Sequence, residues 1–242
     1  MKALVLCDYK QLEIVEVAKP RAAEDELLIR VKACGICGSD VHGYDGSTGR
    51  RLPPIVMGHE AAGVVEEVGS AVSGFRAGDR VTFDSTVFCG RCFFCRRGQV
   101  NLCDEREVIG VSTPAFRRMG AFAEYVAVPA RIAYHLPEEM PFAHAALIEA
   151  VSVAVHAVSL TPIALDDTVL VVGAGMIGLL TLQAALLAGA GRVFVIDVDD
   201  TRLQLARDLG ATRTFNSREA GALDEVMELT ARRKVVNREG QD

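Results

Sequence analysis

The stretch Cys34-Gly-Ile-Cys37-Gly-Ser39-Asp40-Val-His42 continues through a loop to Met57-Gly58-His59-Glu60. It brings thiolate, imidazole and carboxylate side chains into one short region. These are the side-chain types that hold a zinc ion while one coordination position stays open. The stretch therefore predicts a metal site of the catalytic type.

Composition limits the class of protein. The chain has 242 residues, of which 50% are hydrophobic and 24% charged, so it fits one large or two modest globular domains. The net charge of −6 and the lack of a long basic run argue against nucleic acid as a partner. No apolar run approaches the ~18 residues of a membrane span. The first residues are too soon interrupted by charge for a signal peptide. We therefore expect a cytoplasmic protein that binds no membrane.

The chain shows two regimes of patterning. Up to about residue 136, short β-type runs alternate with turns, which predicts a β-barrel. From about residue 141, strands alternate with helices, which is typical of a parallel sheet. The predicted strands are 3–6, 13–17, 26–33, 63–68, 79–83, 121–128, 167–173, 192–197 and 212–215. The predicted helices are 142–158, 176–188, 201–209 and 220–230.

A cluster of cysteines follows the spacing Cys-x2-Cys-x2-Cys-x7-Cys. Four thiolates on one tight loop close a tetrahedral shell without an open position, which predicts a structural zinc ion. The alternatives are two disulfides, which a cytoplasmic setting disfavours, and an iron–sulfur cluster, which usually has a different spacing. The cluster consists of Cys89, Cys92, Cys95 and Cys103.

Two further cysteines need a separate interpretation. Cys34 and Cys37 form a Cys-x-x-Cys pair, so a redox pair is an alternative to the metal site. The pair lies outside a thioredoxin-type βαβ unit. We therefore expect Cys34, like Cys7, to act as a small buried hydrophobic residue.

The run Val169-Leu-Val-Val-Gly173-Ala-Gly175-Met-Ile-Gly178 follows a predicted strand and opens a predicted helix. In that context the three glycines are the dinucleotide-binding fingerprint. Gly173 makes the tight turn, Gly175 lets a pyrophosphate approach the helix N-terminus, and Gly178 allows close packing of helix on strand. The alternative is a βαβ unit that binds no nucleotide.

Asp197 ends the next predicted strand. It is expected to accept hydrogen bonds from the adenosine ribose hydroxyls and to repel a 2′-phosphate. NAD is therefore predicted as the cofactor in preference to NADP. The remaining predicted cofactor-binding residues are Met176, Ile177 and Arg202.

Taken together, these motifs resemble the zinc-containing medium-chain dehydrogenases. The resemblance rests on Cys37-Gly-Ser39-Asp40-Val-His42, on Gly58-His59-Glu60-x-x-Gly63-x5-Gly69-x-x-Val72, on the cysteine lobe and on the glycine-rich unit. It is strongest to the polyol branch, with its sorbitol, threonine and galactitol-phosphate dehydrogenases. It implies a GroES-like β-barrel catalytic domain at 1–155 and a partial Rossmann domain at 156–230. It also implies a homodimer or homotetramer.

The same resemblance assigns the metal ligands. It implies that Cys37 and His59 bind the catalytic zinc ion and that Glu60 is a nearby carboxylate, which coordinates directly in some states. Asp40 is expected to orient the imidazole of His59. Glu149 lies where the polyol branch has another metal- or water-binding carboxylate. Those relatives usually have Glu-Pro where this chain has Glu149-Ala150, so an ordinary helix carboxylate is the alternative.

The implied reaction is the NAD-linked oxidation of a secondary alcohol, such as a polyol or sugar alcohol. A zinc ion lowers the pKa of the alcohol oxygen, and the resulting alkoxide releases a hydride to NAD. Ser39 is expected to lie beside the alcohol, and His42 to carry its proton toward solvent.

The resemblance stops near residue 229. A complete dinucleotide-binding domain has two βαβαβ halves, whereas this chain supplies three predicted strands before a basic and polar tail at 231–242. We therefore expect a truncated, weakly stable member with impaired activity. The alternative is a non-catalytic zinc-binding remnant or a subunit of a larger assembly.

Overall fold

The structure of the protein, a computed structural model, describes residues 1–230. The polar tail expected at 231–242 lies outside the described residues. The chain forms two compact units, one from Met1 to Glu149 and one that begins at Ala150. None of the helices within residues 1–230 has the length and apolarity needed to cross a membrane.

The first unit is built mainly from strands. Its strands are β1 (Lys2–Asp8), β2 (Gln11–Glu16), β3 (Glu26–Gly35), β4 (Ile55–Val56), β5 (Glu60–Val68), β6 (Arg80–Phe83), β7 (Thr86–Val87), β8 (Glu107–Ile109), β9 (Arg117–Arg118), β10 (Tyr125–Pro129) and β11 (Ala133–His135). The central sheet has the order β10-β3-β5-β6-β11, and two three-stranded sheets have the orders β2-β1-β4 and β7-β8-β9. The helices are α1 (Gly38–Tyr44), α2 (Phe93–Arg96) and α3 (Phe142–Ala145), and α4 (Ile148–Ser159) runs on into the second unit.

The core of the first unit fixes the position of the predicted metal ligands. Leu27, Leu28 and Ile29 of β3 are fully buried, so side chains on both faces of this strand are covered. β3 pairs antiparallel with β5, and its last residue, Gly35, lies opposite Glu60. Residues just after β3 therefore lie beside residues at the start of β5. This pairing brings Cys37 close to His59 and Glu60.

The second unit is a parallel sheet with helices. Its strands are β12 (Thr168–Val172), β13 (Arg192–Asp197) and β14 (Arg213–Asn216), and its helices are α5 (Met176–Leu187), α6 (Asp200–Asp208) and α7 (Ala222–Thr230). The strands pair in the order β12-β13-β14, all parallel. One face of the sheet packs against Leu182 of α5 and Leu203 of α6. The mixed β and α/β class is thereby confirmed.

Within the described residues, β12 pairs on one side only, with β13. Val171 is buried, whereas Leu170 and Val172 are 40% and 79% exposed. Within residues 1–230, β12 therefore has one unpaired edge; of its five side chains one is buried, two are half-buried and two are exposed.

Two local predictions were wrong, and one helix was missed. The expected helix 142–158 is two helices, α3 and α4, because an alanine-rich apolar run carries no signal for a break. The expected strand 121–128 begins only at Tyr125, because Ala121 and Phe122 donate backbone hydrogen bonds to Gly58 and Met57 instead of joining the sheet. Helix α1 was missed because its two glycines disfavour a helix.

Candidate metal centres and nucleotide-binding loop

Helix α1 holds the first predicted ligand in place. Cys37 is its N-cap residue, with an extended backbone. The backbone N–H of Cys37 donates to Oδ2 of Asp40 at 3.1 Å, and the backbone N–H of Asp40 donates to the Cys37 carbonyl at 2.9 Å. This reciprocal pair satisfies backbone groups at the helix start. It also fixes where the Cys37 side chain leaves the backbone.

The predicted ligands of the catalytic site come together. Ligand atoms of Cys37, His59 and Glu60 all lie within 4.8 Å of one another. Glu60 is 1% exposed, and neither of its carboxylate oxygens has a hydrogen-bond partner among the described residues. A buried carboxylate without a partner is costly unless it binds a cation. These residues therefore fit a zinc ion, with soft and hard ligands in an incomplete set.

Asp40 also lies against His59. Its Oδ1 is 3.5 Å from Nδ1 of His59, and both side chains are buried. Burial by itself would lower the pKa of His59, but Asp40 and Cys37 raise it to about 10. The interaction with His59 lowers the pKa of Cys37 in turn. A cation that binds here must displace the proton of this pair, as metals do at such sites.

Ser39 and His42 lie three residues apart on α1, so they share one side of the helix. Ser39 Oγ accepts a hydrogen bond from the guanidinium of Arg51 at 3.2 Å. His42 is exposed, and its Nδ1 lies 3.3 Å from Ser47 Oγ. Sequence reasoning missed Arg51, since an arginine in a loop before a proline pair gives no sign of being buried.

Glu149 lines the same cavity as Ser39 and His59. Burial raises its pKa; His59 counteracts this rise, and Glu60 and Asp84 add to it. Glu149 is not a member of the group of mutually close ligand atoms. Glu149 therefore lines the cavity of the candidate catalytic site but is not one of its three mutually close ligands, Cys37, His59 and Glu60.

The cysteine lobe forms a second, separate group. The Sγ atoms of its four cysteines lie within 4.8 Å of one another, and a tetrahedral zinc site has S···S distances of ~3.8 Å. Backbone N–H groups, that of Arg91 first, lower the pKa of Cys89 to about 7. Burial and neighbouring cysteines raise the pKa of Cys95 to about 12. Four sulfur atoms this close fit a closed tetrahedral zinc site, which would hold all four as thiolates.

The disulfide and redox alternatives find no support. All seven cysteines are free. Burial, with the charge of Asp40 next, raises the pKa of Cys34 to about 12. A cysteine with so high a pKa has little thiolate and is a poor redox group.

The glycine-rich loop has the expected geometry. Gly173 has a φ of +98°, which favours glycine. A Cβ atom on Gly178 would overlap with the carbonyl oxygen of Gly173, whereas a Cβ on Gly175 would meet no atom within 4 Å. The helix therefore packs against the loop at Gly178 and leaves open space at Gly175, where a pyrophosphate is expected.

Asp197 has a role that the sequence did not reveal. Its Oδ2 accepts the backbone N–H of Ala174 at 2.6 Å, and its Oδ1 accepts those of Val198 and Asp199 at 2.7 and 3.0 Å. Burial by itself would raise its pKa, but these three hydrogen bonds and Arg202 lower it. The carboxylate is therefore charged and ties the glycine-rich loop to the end of β13. Met176 and Ile177 open α5, and Arg202 is exposed on α6.

Comparison with known families gives two matches. A family model described as "Alcohol dehydrogenase GroES-like domain" matches residues 23–138, and one described as "Zinc-binding dehydrogenase" matches residues 177–237. Sorbitol dehydrogenase of Bacillus subtilis is 38% identical over 238 residues, covering 97% of this chain and 66% of that protein.

Solved structures of dehydrogenases are also similar to this chain. Alcohol dehydrogenase TADH from Thermus sp. ATN1 superposes with a TM-score of 0.88 at 33% identity, covering 95% of this chain and 67% of the other. A protein of Sinorhizobium meliloti 1021 bound to NADP superposes with a TM-score of 0.83 at 40% identity, covering 90% and 62%. This chain thus spans 66% of the length of the sorbitol dehydrogenase that it matches.

Proposed function

Because this chain belongs to the zinc-containing medium-chain alcohol dehydrogenase family, we propose that it oxidises a secondary alcohol with zinc and NAD. A polyol or sugar alcohol is the substrate class, in line with the similarity to sorbitol dehydrogenase. The observation that carries this proposal is the fully buried Glu60 carboxylate, which has no hydrogen-bond partner among the described residues and lies beside Cys37 and His59. A buried, uncompensated carboxylate in this setting calls for a cation.

Cys37, His59 and Glu60 would hold the catalytic zinc ion. When bound, zinc lowers the pKa of an alcohol hydroxyl and so prepares the carbon to release a hydride. The Ser39 hydroxyl lines the cavity beside His59 and can take up the proton of the alcohol while passing its own proton on. His42, on the same side of α1 and exposed, supports a path for that proton to solvent.

The cysteine lobe would hold a second, structural zinc ion. Its four sulfur atoms supply a full set of ligands and leave no position for a substrate. Its contribution is to folding, because the binding free energy of a structural zinc ion is folding free energy.

NAD is the proposed cofactor. The negative charge of Asp197 at the end of β13 would repel the 2′-phosphate of NADP. Asp197→Asn keeps an oxygen for the backbone of the glycine-rich loop and removes the charge. Calorimetry should therefore show that the unmodified protein prefers NADH to NADPH and that the variant discriminates less. Equal affinities in the unmodified protein would contradict the assignment; the NADP-bound similar structure makes this a necessary test.

The main test of the function is polyol-dependent reduction of NAD by the zinc-loaded protein. Ser39→Ala should lower the turnover ~100-fold or more, since it removes the proton acceptor beside the alcohol, and should leave the zinc content unchanged. Ser73→Ala, at an exposed loop position, serves as the matched control. Two bound zinc ions without any alcohol-dependent reduction would favour a non-catalytic zinc-binding protein. The cytoplasmic location and the homodimeric or homotetrameric state stay predictions.

A further inference from the structure

Three arginines line the cavity that contains Ser39, His59 and Glu149: Arg50, Arg51 and Arg106. The cavity has a volume of about 240 Å³, which suits a small ligand. The proposed reaction needs a metal, a proton acceptor and a nucleotide, but it has no use for three guanidinium groups. Their presence beside the reacting centre needs a separate explanation.

Arg51 is held in place by contacts along its whole length. It is 6% exposed, and its side chain packs so closely against Gly43 that a Cβ there would overlap with it. One terminal nitrogen donates to Ser39 Oγ at 3.2 Å and lies 3.8 Å from Oδ1 of Asp40. Its Nε is buried and has no hydrogen-bond partner among the described residues. A buried guanidinium with an unused donor is costly unless a further acceptor completes it.

Arg106 approaches the cavity from the loop before β8. A terminal nitrogen donates to the backbone carbonyl of Asn101, and the guanidinium carbon lies 5.0 Å from the centre of the Phe116 ring. Its Nε is also buried without a hydrogen-bond partner within residues 1–230. A carbonyl and an aromatic ring fix the position of this guanidinium without neutralising it.

The charges that line the cavity do not balance. Three guanidinium groups line it, against the single carboxylate of Glu149. Outside this lining, Asp40 lies 3.8 Å from Arg51, and the charge of Asp84 acts on Glu149. The charges of Cys37 and Glu60 would be offset by a divalent ion. The lining therefore keeps an excess of positive charge next to the place where the alcohol is oxidised.

We propose that the substrate is an alcohol that carries an oxyanion, either a phosphate monoester or a carboxylate, and that Arg51 and Arg106 bind this group. Arg50, exposed at the cavity, adds to the attraction. This inference rests on the proposed function, since it places the substrate hydroxyl at Ser39. The planar fork of a guanidinium matches the oxygens of phosphates and carboxylates, and an oxyanion offsets the positive charge of the arginines, which a neutral polyol does not.

Calorimetry on the zinc-loaded protein tests this directly, with sorbitol, sorbitol 6-phosphate, gluconate and inorganic phosphate as probes. At least one of the two anionic compounds should bind about tenfold or more tightly than sorbitol, because charged hydrogen bonds form only with the anion. The anionic compound that binds more tightly than sorbitol identifies the oxyanion as a phosphate or a carboxylate.

Matched variants assign the preference to the arginines. Arg106→Gln should abolish most of the gain in affinity for the anionic compound and weaken the binding of inorganic phosphate. Arg50→Gln, at an exposed position where folding is not at risk, should reduce the gain several-fold. Arg21→Gln, which is exposed and outside the cavity, should change nothing.

The outcomes separate this inference from the proposed function. Equal affinities for sorbitol and both anionic compounds, or a preference that survives Arg106→Gln and Arg50→Gln, would overturn the anion site. Sorbitol-dependent reduction of NAD with no gain from an anionic group would do the same and leave the proposed function intact. Arginine-dependent binding of an anionic alcohol without any reduction of NAD would uphold the anion site and count against the proposed function.

Discussion

At the scale of single residues, Glu60 defines the candidate catalytic site. Its carboxylate is buried at the first position of β5, and Gly35 lies opposite it at the last position of β3. A Cβ on Gly35 would overlap with Oε2 of Glu60. The absence of a side chain at Gly35 is therefore what makes room for the carboxylate beside Cys37 and His59.

Gly35→Ala should displace the Glu60 carboxylate and weaken the zinc site that it completes. Elemental analysis of the purified protein should find about one zinc ion per chain instead of the proposed two, since the cysteine lobe is untouched. Gly38→Ala is the matched control, because a Cβ at Gly38 meets no atom within 4 Å. Full zinc content in Gly35→Ala would show that Glu60 is not needed for the metal.

At the scale of elements, the loop between β12 and α5 combines a packing role and a binding role in neighbouring glycines. Gly178 has no room for a side chain against Gly173, whereas Gly175 faces open space. A substitution at Gly178 should therefore affect stability, and a substitution at Gly175 should affect nucleotide binding.

Gly178→Ala should lower the free energy of unfolding of the second unit by about 1–3 kcal/mol or more, because the added methyl group forces α5 away from the loop. Gly175→Ala should leave this free energy almost unchanged and weaken NADH binding, since the methyl group occupies the space expected for the pyrophosphate. Chemical denaturation and calorimetry measure the two effects. Similar losses of stability in both variants would contradict this division.

The cysteine lobe is the second element whose role can be isolated. Cys95→Ser removes one of its four sulfur ligands and should remove one zinc ion and several kcal/mol of stability, as expected for a structural zinc site. Cys7→Ser provides the control, because Cys7 lies on β1 outside both groups of ligands. Elemental analysis and thermal unfolding report both quantities. A Cys95→Ser protein with unchanged zinc content would rule out the lobe as a metal site.

At the scale of the whole molecule, the two kinds of site lie in different units. Both groups of ligands lie within residues 1–149, and the glycine-rich loop lies in the unit that begins at Ala150. Removal of zinc should therefore destabilise one part of the chain selectively.

Hydrogen exchange before and after chelation of zinc checks this expectation. Amide groups near residues 37–60 and 89–103 should lose protection, because metal binding free energy contributes to the stability of the unit that holds the metal. Amide groups of β12 and β13 should keep theirs. A uniform loss of protection along residues 1–230 would show that the zinc sites stabilise the chain as a whole.

Much of this organisation could be predicted from local spacing. The strand and helix patterns, the cysteine lobe and the turn at Gly173 all depend on residues close together in the sequence. The hydrogen bonds from Ala121 and Phe122 to the loop before His59 could not, since they join segments ~60 residues apart whose own pattern is that of an ordinary strand. The same holds for Asp197, whose hydrogen bond to Ala174 spans 23 residues.

The sequence by itself determined which residues are able to bind metal and nucleotide, because ligand type and spacing are chemical properties of a short segment. Only the tertiary structure decided that the Glu60 carboxylate is buried with no hydrogen-bond partner within residues 1–230, and that Glu149, Arg51 and Arg106 line one cavity. Burial and local charge depend on residues that come from distant parts of the chain. A single motif does not show which residues will surround it, so the nature of the substrate had to be inferred from the folded molecule.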